Sequence, residues 1–431
     1  MLTKLSTNVQ RGMKGQFVSG ARRPPPVFAW FARKLLPLVV LTFIPVLAAC
    51  SFMPRDSFTA TEQSMAKVPG LPNARFWVDG SAQELHTFFQ GFVPTTTGSF
   101  DVLALSGGAY DGAYGAGVVN GWTAAGTRPK FAVVTGVSAG ALIAPLAFLG
   151  ASYDEEIEHS FTQSAAQFLG DLGSIFSIVG GAELRRSSLA DLVAHFVDDR
   201  LLKAIAAEHA KGRRLLILTT NIDAQRGVVW DMGAIAASGH PDARQLFTDV
   251  LVASASVPGL FAPTFIEVEA NGRVFREMHV DGGATTEVFI VPDVLLDRGV
   301  GIPNSKHEKA HVWVVVNNHV TPQFEVVEAG ILSTMSRSVS TLIKGNSKQT
   351  LFAASEFVGH DRFNLTYIDD RFDETLRARY GADVTPGFNA PYMTALYRYG
   401  YEKARSGRLW THEVPLGAAA SLQRVHGMAH P

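Results

Sequence analysis

Four short runs of branched and apolar residues constrain this chain more than any other feature: "DVLAL" (101–105), "FAVVTG" (131–136), "RLLILTTN" (214–221) and "HVWVVVNN" (311–318). None alternates apolar with polar. A strand with one wet face alternates, so such runs predict strands covered on both faces, as in a parallel sheet packed between helices. Helical stretches lie between them. "AYGAGVVNGWTAAG" can form a helix after the first strand, and "SYDEEIEHSFTQSAAQFL" opens with acidic residues that suit the partial positive charge of a helix N-terminus. In "SSLADLV", Ser188 is expected to cap a helix, with Asp191 three residues on. Past about residue 320, "EAGILSTMSRSVSTLI" and "PYMTALYRYGYEKA" predict amphipathic helices that cover the sheet or wall an acyl chain. The fold class this predicts is α/β.

The first 49 residues carry seven basic residues and no acidic one. "ARK" is followed by "LLPLVVLTFIPVLAAC", too short and too proline-interrupted for a comfortable membrane span, so a signal peptide is expected. Its end, "LAAC", resembles the bacterial lipobox and places the single cysteine of the chain, Cys50, where that resemblance implies lipidation. Ser51 in place of an aspartate resembles lipoproteins passed on to the outer membrane. The expected layout is a signal peptide over 1–49, a tether and lead-in over 50–98, a catalytic domain over 99–320 and a helical extension over 321–431. The whole chain holds 38 basic against 39 acidic residues, so the part beyond the basic leader is acidic. That balance argues against nucleic acid as a partner.

"TGVSAGA" (135–141) sits between an expected strand and an expected helix. In a nucleophile elbow the serine stands where strand turns abruptly into helix, which makes Ser138 the candidate nucleophile. The helix N-terminus would aim unpaired N–H groups at its hydroxyl. "LALSGGAYDGAYGAG" repeats the pattern of strand, glycine-rich turn and helix, and the N–H groups of Gly107, Gly108 and Ala109 are the candidate oxyanion hole. The glycines do not match the G-x-G-x-x-G dinucleotide fingerprint, and Gly-Lys-Ser/Thr of a P-loop is missing, so no cofactor is expected. No metal-binding motif accompanies the site. Only 31 residues separate Gly107 from Ser138, room for one βα unit, whereas an α/β-hydrolase would need two.

"SGGAYDG", "GVSAG", "ASASVPGLFAP" and "MHVDGGATTE" occur in that order over about residues 101–292, and together they resemble the patatin-like phospholipase family. The resemblance implies a three-layer α/β/α sandwich with a mainly parallel central sheet. It also implies hydrolysis of lipid acyl esters through a Ser138–Asp281 dyad, with the Gly107/Gly108 turn as oxyanion hole. A buried Asp281 would have a raised pKa and so serve as base. His279, two residues earlier, would face the same way along a strand and is a candidate for positioning Asp281. Ala109 stands at the family's third glycine, and Asp111 stands at its usual basic position. A carboxylate there opposes an oxyanion unless it is paired or turned away. Two alternatives follow: a catalytically silent envelope lipoprotein that binds lipid or a protein partner, and a serine esterase with a histidine triad.

Overall fold

The computed structural model describes residues 55–81, 83–85, 100–170, 181–290, 310–324, 326–327, 329–380 and 384–415. The signal peptide and Cys50 lie outside the described residues. The chain divides into two units, Met1–Arg55 and Asp56–Pro431, and every strand and helix named here belongs to the second.

The apolar runs become the strands they predict. β1 is Arg75–Trp77, β2 Asp101–Leu105, β3 Val133–Val137, β4 Arg214–Asn221, β5 Arg226–Asp231, β6 Thr264–Ala270, β7 Arg273–Asp281, β8 His311–Val316 and β9 Phe363–Tyr367. All residues of β2, β3 and β4 are buried, as strands without alternation require. They form one sheet in the order β1-β5-β4-β3-β2-β8-β9, and the five strands from β4 to β9 run parallel. β5 and β1 close one side antiparallel, and the β6–β7 hairpin pairs with β4 through β7.

Alternate residues of each strand feed opposite cores. Leu103, Leu105, Val134, Leu215 and Ile217 belong to one cluster, while Val102, Ala104, Val133, Leu216 and Leu218 belong to the other. This is the mark of a sheet between two layers. The helices that carry the site are α1 (Gly112–Ala124), α2 (Ala139–Leu149), α3 (Gly181–Phe196), α4 (Asp199–Ala210), α5 (Ala243–Ser254), α6 (Ile331–Val358) and α7 (Ala390–Arg405). Residues of α1, α2 and α5 pack in the first cluster, and Leu351 and Val358 of α6 pack in the second. At about 1.5–3 kcal/mol for each large aliphatic side chain buried, these two faces supply most of the drive to fold.

Two local expectations change. Ser188 does not cap a helix, because α3 already begins at Gly181 and Ser188 falls in its middle. "SYDEEIEHSFTQSAAQFL" is helical from Asp154 to Leu169, but Ser160–Ser164 forms a π turn, a widening that often marks a functional site. The stretch after 320 contributes more than helices, since β9 adds an edge strand to the sheet beside β8. α7 lies directly on α1. A Cβ at Gly117 or Gly121 would run into the backbone of Tyr397 or Tyr401, and one at Gly400 into that of Tyr114. The glycine spacing after the first turn therefore serves a close helix crossing.

Candidate active site

Strand register brings Ser138 and Asp281 together. Val137, which ends β3, pairs with Leu218 of β4, and the next residue of β4, Thr219, pairs with Asp281 at the end of β7. Gly282 closes the gap: a Cβ there would sit 2.5 Å from the Leu218 carbonyl and 3.0 Å from a Val137 methyl. Two segments about 140 residues apart thus end side by side.

Ser138 is 4% exposed and holds φ +53° and ψ −123°, a backbone state that L residues rarely adopt. Such strain persists where surrounding structure enforces it, and a serine between β3 and α2 in that state has the geometry of a nucleophile elbow. Ser254 enforces it. Its hydroxyl accepts from the Ser138 N–H at 3.0 Å and donates to the Leu218 carbonyl at 2.7 Å. The Asp281 N–H donates to the Ser256 carbonyl at 2.9 Å, so "ASAS" at the end of α5 anchors both segments.

The Asp281 carboxyl is buried, and its Oδ1 accepts from the Gly283 N–H at 2.7 Å. Oδ2 has no formed hydrogen bond. Burial pushes its pKa up to about 7, against a smaller opposing pull from the Ser138 hydroxyl and the Gly283 N–H. The hydroxyl therefore lies near enough to bias the carboxyl without a completed hydrogen bond. Catalytic contacts are often this open before substrate arrives.

The turn after β2 departs from expectation at one donor. The Gly107 N–H already donates to the Glu287 carbonyl at 3.2 Å, so it is not free for an oxyanion. The N–H groups of Gly108 and Ala109 have no partner among the described residues. Gly108 has φ +154°, and a Cβ there would collide with the backbone of Asn317. Ala109 holds φ +52°, the left-handed region that costs a residue with a Cβ about 1 kcal/mol. That is a physical reason for the family's glycine at this place.

Asn317, at the end of β8, pins the turn. Its backbone N–H donates to the Ser106 hydroxyl, its amide donates to the Ser106 carbonyl at 2.7 Å, and its Oδ1 accepts from the Gly115 N–H at 2.9 Å. Asp111 is not loose either, since the Tyr392 hydroxyl of α7 donates to its Oδ1 at 2.8 Å.

His279 points its hydrogen bonds elsewhere. Nε2 meets Glu277 at 3.1 Å and Nδ1 meets the Thr219 hydroxyl at 3.0 Å. Glu277 is also paired with Arg75. Among the described residues no histidine bonds to Ser138 or Asp281, and none lines the adjoining pocket. His360 and His412 contact each other's strand surroundings at the far end of β9.

From Ser138 a pocket enclosing about 610 Å³, part of it open to solvent, runs past Ala139, Leu142, Phe161, Leu192, Phe196 and Val257. Apart from Ser138 and Ser160, every side chain lining it is apolar. Phe388 and Met393, from the C-terminal stretch, form part of its wall.

Ser254, Ser256 and Asn317 were quoted within motifs or strands, but nothing in their spacing says what they hold. Glu287 went unread: six residues after Asp281, it is 7% exposed and touches both glycine turns of the site. The signal was an acidic residue within an otherwise apolar and hydroxyl-bearing stretch, "ATTEVF".

Residues 103–292 match the family model described as patatin-like phospholipase. Among solved structures, VipD from Legionella pneumophila is similar at 12% identity and a TM-score of 0.32, over 72% of this chain and 67% of that one. No curated protein matches the chain. With the mainly parallel α/β sheet and the order of its motifs, the stretch from residue 103 to residue 292 is a domain of the patatin-like phospholipase family, a family of lipid acyl hydrolases.

Proposed function

We propose that this domain hydrolyses acyl esters of lipids through an acyl-Ser138 intermediate. Asp281 is the base, and the N–H groups of Gly108, Ala109 and Ala139 form the oxyanion hole. The observation that carries the reading is the unbonded Asp281 Oδ2, with a pKa near neutrality, beside a strained serine at the head of an apolar pocket. As Ser138 Oγ attacks the acyl carbon, its proton passes to Asp281 and negative charge moves onto the carbonyl oxygen. Asp281 then returns the proton to the departing alkoxide. Water repeats the sequence on the acyl-enzyme, releasing the fatty acid and Ser138. The apolar pocket suits one acyl chain. Asp111 is paired with Tyr392, which removes the main objection to a working oxyanion hole.

A serine-reactive fluorophosphonate is expected to label wild type and not Ser138→Ala, with both folded; full labelling of the variant ends this reading. A panel of phospholipid, lysophospholipid, monoacylglycerol and short-chain nitrophenyl esters identifies the substrate by its products. We also propose that Cys50 is lipidated and holds the protein in the bacterial envelope, on the periplasmic face of the outer membrane. Cys50→Ala is then expected to abolish acyl labelling and release the protein from membranes, and retention of the variant on membranes would refute the anchor.

A further inference from the structure

Glu287 has no part in the chemistry above, yet its carboxyl lies between the two turns that build the site. A Cβ at Gly107 would sit 2.6 Å from its Oε1 and 2.8 Å from its Oε2. A Cβ at Gly283 would sit 2.5 Å from its Oε2 and 3.0 Å from Oδ1 of Asp281. The two carboxyl groups are therefore neighbours across one glycine, and both glycines are needed to seat Glu287. Its backbone carbonyl holds the Gly107 N–H from the same side. No described residue makes a hydrogen bond or ion pair to the Glu287 carboxyl. Asp281 is the charged group that acts on it. The turn 106–109, the segment 282–286 and Asn317 present no other titratable side chain to it.

We propose that Glu287 is a positioning residue for the proton of the Ser138–Asp281 pair: it stays protonated beside the ionised Asp281, and its own ionisation shuts the reaction down. The proposal rests on the hydrolase reading. The pair then carries one proton and one negative charge in the resting site, with the charge on Asp281. When Ser138 attacks, its proton goes to Asp281 and the charge goes to the acyl oxygen, so both carboxyls are neutral at that moment. A second anion on Glu287 would lie against Gly107, one residue before the proposed oxyanion donors, and would oppose the charge growing there. Burial, reinforced by the Asp281 charge, raises the Glu287 pKa to about 8, just above that of Asp281 at about 7. Two carboxyls in one dry site cannot both ionise cheaply.

The test is the pH profile of kcat/KM for a soluble nitrophenyl ester in wild type, Glu287→Gln and Glu287→Asp. Wild type is expected to rise through pH 7 and fall above pH 8 by about tenfold per unit. Glu287→Gln should keep the rise and lose the fall, and Glu287→Asp should restore a fall. A fall of the same size in Glu287→Gln overturns the proposal. A second readout needs no turnover. Because folding raises the pKa of Glu287, the native state loses stability as pH climbs from the usual carboxylate range to about 8. Melting temperature should therefore drop less steeply from pH 5 to 8.5 in Glu287→Gln than in wild type, and parallel curves overturn the assignment of the proton. Failure of the fluorophosphonate to label Ser138 at any pH would instead sink the hydrolase reading, leaving the melting comparison to judge the carboxyl pair.

Discussion

Glu277 and Asp281 lie four residues apart on β7, and both are buried, yet they are held in opposite states. Glu277 meets the Arg75 guanidinium and the His279 ring, and Arg75 itself lies over the Trp230 ring at 5.4 Å. Its pKa falls to about 2, although burial alone would raise it. Asp281 has backbone and hydroxyl donors but no cation, and its pKa climbs to about 7. Glu287 has no such donor among the described residues, only a neighbouring carboxylate, and climbs further. Burial sets how much an ionised carboxyl costs, and the partner decides whether the cost is met. One strand thus carries a permanent anion that ties the sheet together and a poised base beside the serine. His279, expected as a positioning group for Asp281, belongs to the first of these by its hydrogen bonds.

The comparison can be broken most severely at Asp281. Asp281→Asn is expected to lower kcat/KM by about 10³–10⁴-fold, since the amide cannot take the serine proton. The same variant should melt higher than wild type at pH 8, because it removes a buried carboxyl that resists ionisation there; a lower melting temperature would show that Asp281 is stabilised like Glu277. Arg75→Ala tests the other end of the strand. It leaves Glu277 buried without its main cation and is expected to cost about 3–5 kcal/mol in chemical denaturation. A loss below 1 kcal/mol would mean that His279 and water satisfy Glu277 unaided.

His279→Gln gives the smallest effect, about 1 kcal/mol of stability from the lost charge-assisted bond, with kcat/KM changed only severalfold. A thousandfold loss of rate in that variant would return the histidine to the catalytic machinery. The pH dependence of stability separates the ends of β7 as well. Glu277, with its pKa lowered on folding, contributes stability above the usual carboxylate range, lost as pH falls toward 2. Asp281, with its pKa raised, contributes stability in acid that is lost as pH rises toward and through 7.

Much of the sheet was legible because strands buried on both faces leave an unmistakable apolar run: β2, β3, β4 and β8 lie where "DVLAL", "FAVVTG", "RLLILTTN" and "HVWVVVNN" predict them. β9 was not, since "FNLTY" carries polar residues that the edge of a sheet tolerates, and only its pairing with β8 makes it a strand. Ser188 misled for a related reason. A capping pattern read over a few residues ignores the helix already running upstream of it.

At the site, the elbow around Ser138 is a local matter of strand, turn and helix, and local chemistry suffices to mark it. The same holds for the glycine turn, although not for which of its N–H groups stay free: Gly107 is occupied by a carbonyl 180 residues away. Ser254, Asn317 and Glu287 act only through contacts across the sheet, and no spacing along the chain encodes such contacts. The order of apolar runs and glycine turns determined the layers and the serine by itself, because those features are written in a few consecutive residues. The charge of each buried carboxyl was decided by the tertiary structure alone, because it depends on which distant side chain, cation or none, arrives within a few ångströms in a dry interior.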